Sequence, residues 1–273
     1  MSAPTLEALL RRDRMIMIVA LAALTALAWT GLTWLAPNMA TGGTDMTGLR
    51  MIPDGRVLMI PANEPWKPIE FGYVFAMWVV MMIGMMAPSV APMILIYARV
   101  GRQAAMEGKP FAASGWFAAG YLLAWTTFSL VATSAQWTLE RAALLTPMMA
   151  TTGAIFGGFA LIAAGLYQWT PLKDVCLRQC QGPLLFIQRH GGFRRDAGGS
   201  ILLGVRHGAY CVGCCWALMV LLFIGGVMNV LWIAVLSILV LIEKITPAGR
   251  LISRIAGAGF IVGGAWLLAT VVH

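Results

Sequence analysis

Long apolar runs separated by short polar segments dominate this chain. Seven runs, at about 15–36, 71–97, 111–136, 148–168, 201–224, 227–243 and 255–272, carry few charges. A helix needs about 20 such residues to cross a hydrocarbon core, and most of these runs meet or approach that length. Residues 201–242 are too many for one crossing, and Gly225-Gly226 through Asn229 is the natural place to turn. The pattern predicts an all-α, polytopic transmembrane bundle of about seven spans, with residues 1–273 forming one integral membrane domain.

Composition supports this class. The chain is 60% hydrophobic and 11% charged, outside the range of soluble globular domains. A net charge of +8 would suit nucleic acid, but its distribution favours a topology signal instead. Segments 1–14, 98–110, 169–200 with Arg206, and 244–254 hold 15 of the 19 Lys and Arg residues, and segments 37–70 and 137–147 hold the other 4. By the positive-inside rule, the N-terminus is expected in the cytoplasm and the C-terminus outside. Segment 169–200 becomes a cytoplasmic Cys-containing loop and 37–70 an external Met-containing loop. Arg11-Arg12-Asp13-Arg14 resembles the charged start of a signal peptide, but the run from Met15 to Ala36 is too long for one, so an uncleaved anchor is expected. No polar segment is long enough for a separate soluble catalytic domain, so any chemistry must involve the spans.

The clearest chemical signal is Cys211-Val-Gly-Cys214-Cys215, with His207 four residues earlier. At about 100° per helical residue, His207, Cys211, Cys214 and Cys215 fall within roughly a 100° arc. One apolar helix would then carry an imidazole and three sulfurs on one face. Soft sulfur donors select Cu(I), zinc or iron–sulfur clusters, and imidazole suits copper and zinc. Cys176 and Cys180 follow the fourth run at a four-residue spacing, which shares a face if that piece is helical. No Cys lies in an external segment, so a structural disulfide framework is not expected.

Methionine forms a complementary pattern. Met77, Met81, Met82, Met85 and Met86 make two neighbouring stripes on the second run, at the depth of the three cysteines on the fifth, and Met39, Met46, Met51 and Met59 are spread through segment 37–70. Thioether binds Cu(I) without deprotonation, although Met also serves as packing filler. Pro88 and Pro92 should break the helix ladder beside this cluster. Glu243-Lys244 reads as the interfacial end of the sixth run, with Lys244 reaching to the headgroups and Glu243 available to Arg206. Trp29, Trp34, Trp66 and Trp137 read as an outer aromatic belt, and Gly157-Gly158 and Gly263-Gly264 as close helix contacts.

Three stretches carry a family resemblance: Met77-Trp-Val-Val-Met-Met-Ile-Gly-Met-Met-Ala-Pro-Ser-Val-Ala-Pro-Met, Tyr167-Gln-Trp-Thr-Pro-Leu-Lys-Asp-Val-Cys-Leu-Arg-Gln-Cys, and His207-Gly-Ala-Tyr-Cys-Val-Gly-Cys-Cys-Trp-Ala-Leu-Met, with Glu243-Lys closing the match. Over roughly residues 70–250 the chain resembles a bacterial family of metal-binding integral membrane proteins grouped with copper chaperones for polyphenol oxidase-type enzymes. The resemblance implies copper handling and leaves the direction of transfer open.

The leading expectation is an inner (cytoplasmic) membrane protein, not an enzyme, that binds Cu(I), or another soft metal, as chaperone or transporter for maturation of a copper enzyme. Cys176 and Cys180 would capture or release metal at the cytoplasmic surface. Cys211, Cys214, Cys215 and His207, with Met81, Met82, Met85 and Met86, would hold it within the membrane. The expected partners are the bilayer and a copper-enzyme recipient or copper donor protein. A membrane thiol–disulfide oxidoreductase is the alternative, and a non-catalytic subunit of a membrane complex or homo-oligomer is the third reading.

Overall fold

The computed structural model describes residues 15, 18–34, 49–50, 60–61, 66, 68–108, 114–142 and 153–272. The described residues are almost all helical. The exception is a two-residue antiparallel pairing of Leu49–Arg50 with Ile60–Pro61. Met39, Met46, Met51 and Met59 lie outside the described residues.

Each of the seven apolar runs corresponds to a helix. These are α1 (Ile18–Trp34), α2 (Pro68–Met106), α3 (Ser114–Arg141), α4 (Ala154–Tyr167), α7 (Ala197–Val220), α9 (Val230–Ile245) and α10 (Gly249–Val272). Four long apolar helical stretches could cross a membrane: Pro68–Ala104, Ser114–Arg141, Ala197–Gly225 and Gly249–Val271. Helix α4 with the following α5 (Pro171–Gln181) makes a fifth if the bent pair counts as one crossing. Helices α1 and α9 are shorter.

Segment 169–200 corrects the expected loop, because it folds into α5 and α6 (Pro183–Arg189). The bend of 64° between α4 and α5 has a local cause. Pro171 at the first helical position cannot continue α4, and the Thr170 side chain caps the new helix by accepting from Lys173 N. The 201–243 run divides where glycine and asparagine predict. Helix α7 passes into the short α8 (Leu222–Gly225), Gly226 takes φ 91°, and Asn229 caps α9 by accepting from Trp232 N. A left-handed φ of this kind favours glycine. Helix α2 continues through Pro88 and Pro92, although neither proline can donate to the ladder.

Helix packing depends on small residues. Helix α3 lies so close to α7 that a Cβ on Gly204 would run into Phe117 O, and one on Gly208 into the Ala124 side chain. The Gly204-xxx-Gly208 spacing is the small-residue pattern that lets helix backbones approach in lipid. Helices α4 and α10 meet in the same way. A Cβ on Gly158 would stand 3.1 Å from Gly264 O, and one on Gly165 2.6 Å from Gly257 O. Gly158 and Gly264 therefore make close helix contacts, as expected, and they make them with each other, whereas Gly263 faces open space.

Polar contacts fasten the helices to one another. Tyr97 of α2 bonds Ser200 of α7 at 2.6 Å, and Arg250 of α10 pairs with Asp174 of α5. The Tyr97–Ser200 contact sets the last turns of α2 and the first turn of α7 at one end of the bundle. At the other end Trp66 donates to Glu140 at 2.9 Å and Arg141 lies over the Trp137 ring.

The packing sets a stability contrast. Gly204→Val should destabilise the detergent-solubilised protein by about 1–3 kcal/mol through overpacking, while Gly263→Ala should change it by no more than about 1 kcal/mol. Denaturant titration followed by circular dichroism measures both. Equal effects would contradict the close α3–α7 contact.

Candidate metal centre

All five cysteines are free, and four of them are buried, with Cys180 half-buried. They are not divided between a surface site and a membrane site. The bend at Thr170 lays α5 along α7, so Cys176 and Cys180, one turn apart, both face the Val212–Cys215 segment. A Cβ on Gly213 would stand 2.9 Å from Cys176 Sγ. Glycine in Cys211-Val-Gly-Cys214-Cys215 is therefore what admits the Cys176 sulfur. Tyr167 Oη donates to the carbonyl of the same Gly213. One turn along α5, Cys180 Sγ lies 3.9 Å from Cys214 Sγ. The expected surface capture pair is thus part of the buried sulfur group, because the segment that carries it is a helix and not a loop.

On α7 the three thiols share the predicted face but do not point to one centre. Cys214 Sγ donates to Cys211 O at 3.1 Å and Cys215 Sγ to the same carbonyl at 2.9 Å. Such bonds one turn back are a usual local option for small polar side chains in helices. Cys211 Sγ turns elsewhere and meets Lys244 Nζ at 2.8 Å and Tyr121 Oη at 3.1 Å. Cys180, Cys214 and Cys215 remain among its electrostatic neighbours. Among the described residues, no three His, Cys, Asp or Glu side chains gather closely enough to enclose a metal ion as they stand.

His207, one turn before Cys211, is 3% exposed. It sits among the rings of Phe117, Tyr121 and Phe186, with centroid distances of 5.8, 6.0 and 4.9 Å. Its Nδ1 is buried without a hydrogen-bond partner. An unsatisfied polar atom in such a place costs about 1–3 kcal/mol, and a metal bond would satisfy it.

Met81, Met82, Met85 and Met86 are all at most 2% exposed, within the same core as the cysteines. Met86 comes nearest to Cys211 through shared neighbours. Its Sδ lies 3.8 Å from Lys244 Nζ, and its carbonyl accepts from Tyr121 Oη at 3.3 Å. Helix α2 packs on α3 and α9, and α3 packs on α7, so Tyr121 and Lys244 are what join the thioether and thiol groups. Two residues that carried no sulfur signal thus link Met86 to Cys211.

Lys244 overturns the interfacial reading of Glu243-Lys244. It is 6% exposed and Glu243 1%, because α9 runs antiparallel to α7 and brings its last turn to Cys211, far from the end of α7. Glu243 does not pair with Arg206. Its Oε2 accepts from Lys173 Nζ at 2.8 Å, and Lys173 Nζ also donates to Gln168 Oε1. Gln181 Nε2 bonds the carbonyls of Glu243 and Thr246 at 2.7 and 3.0 Å. The thiol-bearing α5 is thus fastened to α9 at both its ends.

The donor set suits a soft ion. A metal–thiolate bond is about 2.3 Å, so two sulfurs on one metal lie about 3.8–4.0 Å apart at tetrahedral to trigonal angles. The Cys180–Cys214 separation of 3.9 Å meets this without backbone movement. Cys176 lies one turn from Cys180 on α5, and Cys211 and Cys215 lie within one turn of Cys214 on α7.

No curated protein and no solved structure matches the chain. The profile of the PpoB2 family, described as copper chaperone, matches residues 75–267, from the methionine stripes of α2 to the last turns of α10. The matched region contains all five cysteines, His207 and Lys244, and this chain belongs to that copper chaperone family.

Proposed function

We propose that the protein is a membrane-embedded chaperone that holds Cu(I) between α5 and α7 and passes it to a copper enzyme during that enzyme's maturation. The Cys180–Cys214 sulfur pair, 3.9 Å apart across the α5–α7 contact, carries the reading. Two thiolates from different helices can grip a monovalent soft ion and let it go when one helix shifts. Cys176, Cys211 and Cys215 provide successive sulfur partners for ligand exchange, so the ion is never bare in an apolar interior. Met81, Met82, Met85 and Met86 continue the soft lining toward the opposite end of the bundle. The copper-chaperone family supports the cargo and, in general terms, a copper enzyme as recipient.

Long apolar helices α2, α3, α7 and α10 support a position in the membrane. The distribution of Lys and Arg along the sequence supports a bacterial inner membrane with the N-terminus in the cytoplasm. Burial favours metal handling over thiol–disulfide exchange, because exchange requires attack by an incoming thiolate with access to the sulfur. Four of the five thiols are enclosed.

Two outcomes follow. Protein purified in detergent and loaded anaerobically with Cu(I) should retain about one ion per chain, and Cys180→Ser or Cys214→Ser should each raise the dissociation constant at least tenfold against a Cu(I) chelator. Wild-type affinity in both variants, or a Cys180–Cys214 disulfide that cycles without metal, would overturn this reading. For orientation, a Cys placed at Thr44 should react with an impermeant thiol reagent in intact cells, and one placed at the exposed Gln103 only after permeabilisation. The reverse would invert the topology.

A further inference from the structure

The turn after α6 carries a second imidazole, on the approach to His207. His190 is the C-cap of α6, followed by Gly191 and Gly192 at φ 87° and 80°. This turn is fixed by its own bonds. Gly192 N donates to Ile187 O at 2.9 Å, and Arg194 Nη2 donates to the His190 carbonyl at 2.7 Å. Phe193 packs on Tyr97, which places the turn at the end of the bundle marked by the Tyr97–Ser200 bond. The His190 ring is oriented as well, with Nδ1 2.8 Å from Phe186 O. A carbonyl only accepts, so Nδ1 carries the hydrogen and the neutral ring keeps its Nε2 lone pair for a ligand. Metal-binding histidines are commonly held by a bond of this kind.

The way inward crosses a single ring. The centroid of the buried Phe186 ring lies 4.3 Å from that of His190 and 4.9 Å from that of His207. Tyr210 of α7 flanks the pair, 5.8 Å from His190 and 6.0 Å from Phe186. His207 is 3% exposed and its Nδ1 has no partner. Cys211 follows one turn later, about 6 Å along α7. A half-buried imidazole, an enclosed one and a thiol thus succeed one another from the turn into the bundle. We propose that His190 and His207 form the relay by which Cu(I) passes between the bundle end and the thiols, with His190 Nε2 as the outer docking ligand. This rests on the Cu(I) reading above. Imidazole is a suitable copper donor, and aromatic faces attract a cation, so Phe186 and Tyr210 ease a passage that aliphatic walls would oppose. An ion on His190 Nε2 exchanges that nitrogen for His207 Nδ1 and then for sulfur. One bond to copper forms as another breaks, and no electron moves.

Anaerobic stopped-flow kinetics on detergent-purified protein test the relay through two rates. Loading is followed from a weak Cu(I) complex, and removal by bathocuproine disulfonate. A relay speeds entry and exit alike, so His190→Leu should slow both by about fivefold or more and leave the dissociation constant within about threefold of wild type. His190→Met restores a soft donor in a side chain of similar size, and should recover about half of the wild-type loading rate or more. Any loss of packing is common to the two variants, so the difference between them reads ligation. Wild-type rates in His190→Leu, or rates in His190→Met as slow as in His190→Leu, would overturn the relay and leave the Cu(I) reading standing. Weaker affinity without slower removal in His190→Leu would also overturn it, because His190 would then be a ligand of the seated ion. Wild-type protein that takes up no Cu(I) would overturn both readings.

Discussion

The site depends on how closely other helices can approach α7. Gly204 and Gly208 let α3 settle against one side, and this contact brings Tyr121 to within 3.1 Å of Cys211. Gly213 opens another side to α5, where the Cys176 sulfur occupies the room a side chain would need. In lipid there is little hydrophobic gain from helix contact, so van der Waals fit and polar bonds decide which helices pair. Three glycines on one helix therefore settle both the packing of the bundle and the neighbours of its sulfurs.

Polar groups fasten this arrangement where apolar packing alone would let it slide. Lys173, Glu243, Gln168 and Gln181 tie α5 to the end of α9 and to the α4–α5 bend. Asp174 pairs with Arg250 and lies 3.7 Å from Arg254 at the start of α10. These bonds stand beside the sulfur group without joining it. A helix held by directional bonds at its ends can present Cys176 and Cys180 at a defined height on α7, and a shift at those bonds would change the sulfur spacing.

Much of this was legible in the residues. Apolar run length marked seven helices, the glycines and Asn229 marked the division between α7 and α9, and four-residue spacing put Cys176 with Cys180 on one face. Gly158 and Gly264 marked close helix contacts without telling that they meet each other. The errors share a physical cause. Segment 169–200 contains Lys173, Asp174, Arg178 and several loop-favouring residues, so it reads as a solvated connection, although Lys173 and Asp174 are buried and paired with Glu243 and Arg250. Lys244 at the end of an apolar run reads as an interfacial side chain, because such a run is expected to end at the membrane surface. Nothing in a linear pattern tells that α9 stops level with Cys211. Tyr121 gave no signal at all, since an aromatic residue in an apolar helix is ordinary.

Copper K-edge X-ray absorption on anaerobically loaded, detergent-purified protein tests the central claim most directly. It reads the atoms bound to the ion without assuming which residues supply them. Seating between α5 and α7 predicts Cu(I) with a first shell dominated by sulfur, with at least two sulfurs retained in wild type and one fewer in Cys214→Ser. A first shell of nitrogen and oxygen alone, or a sulfur shell unchanged in that variant, would contradict it.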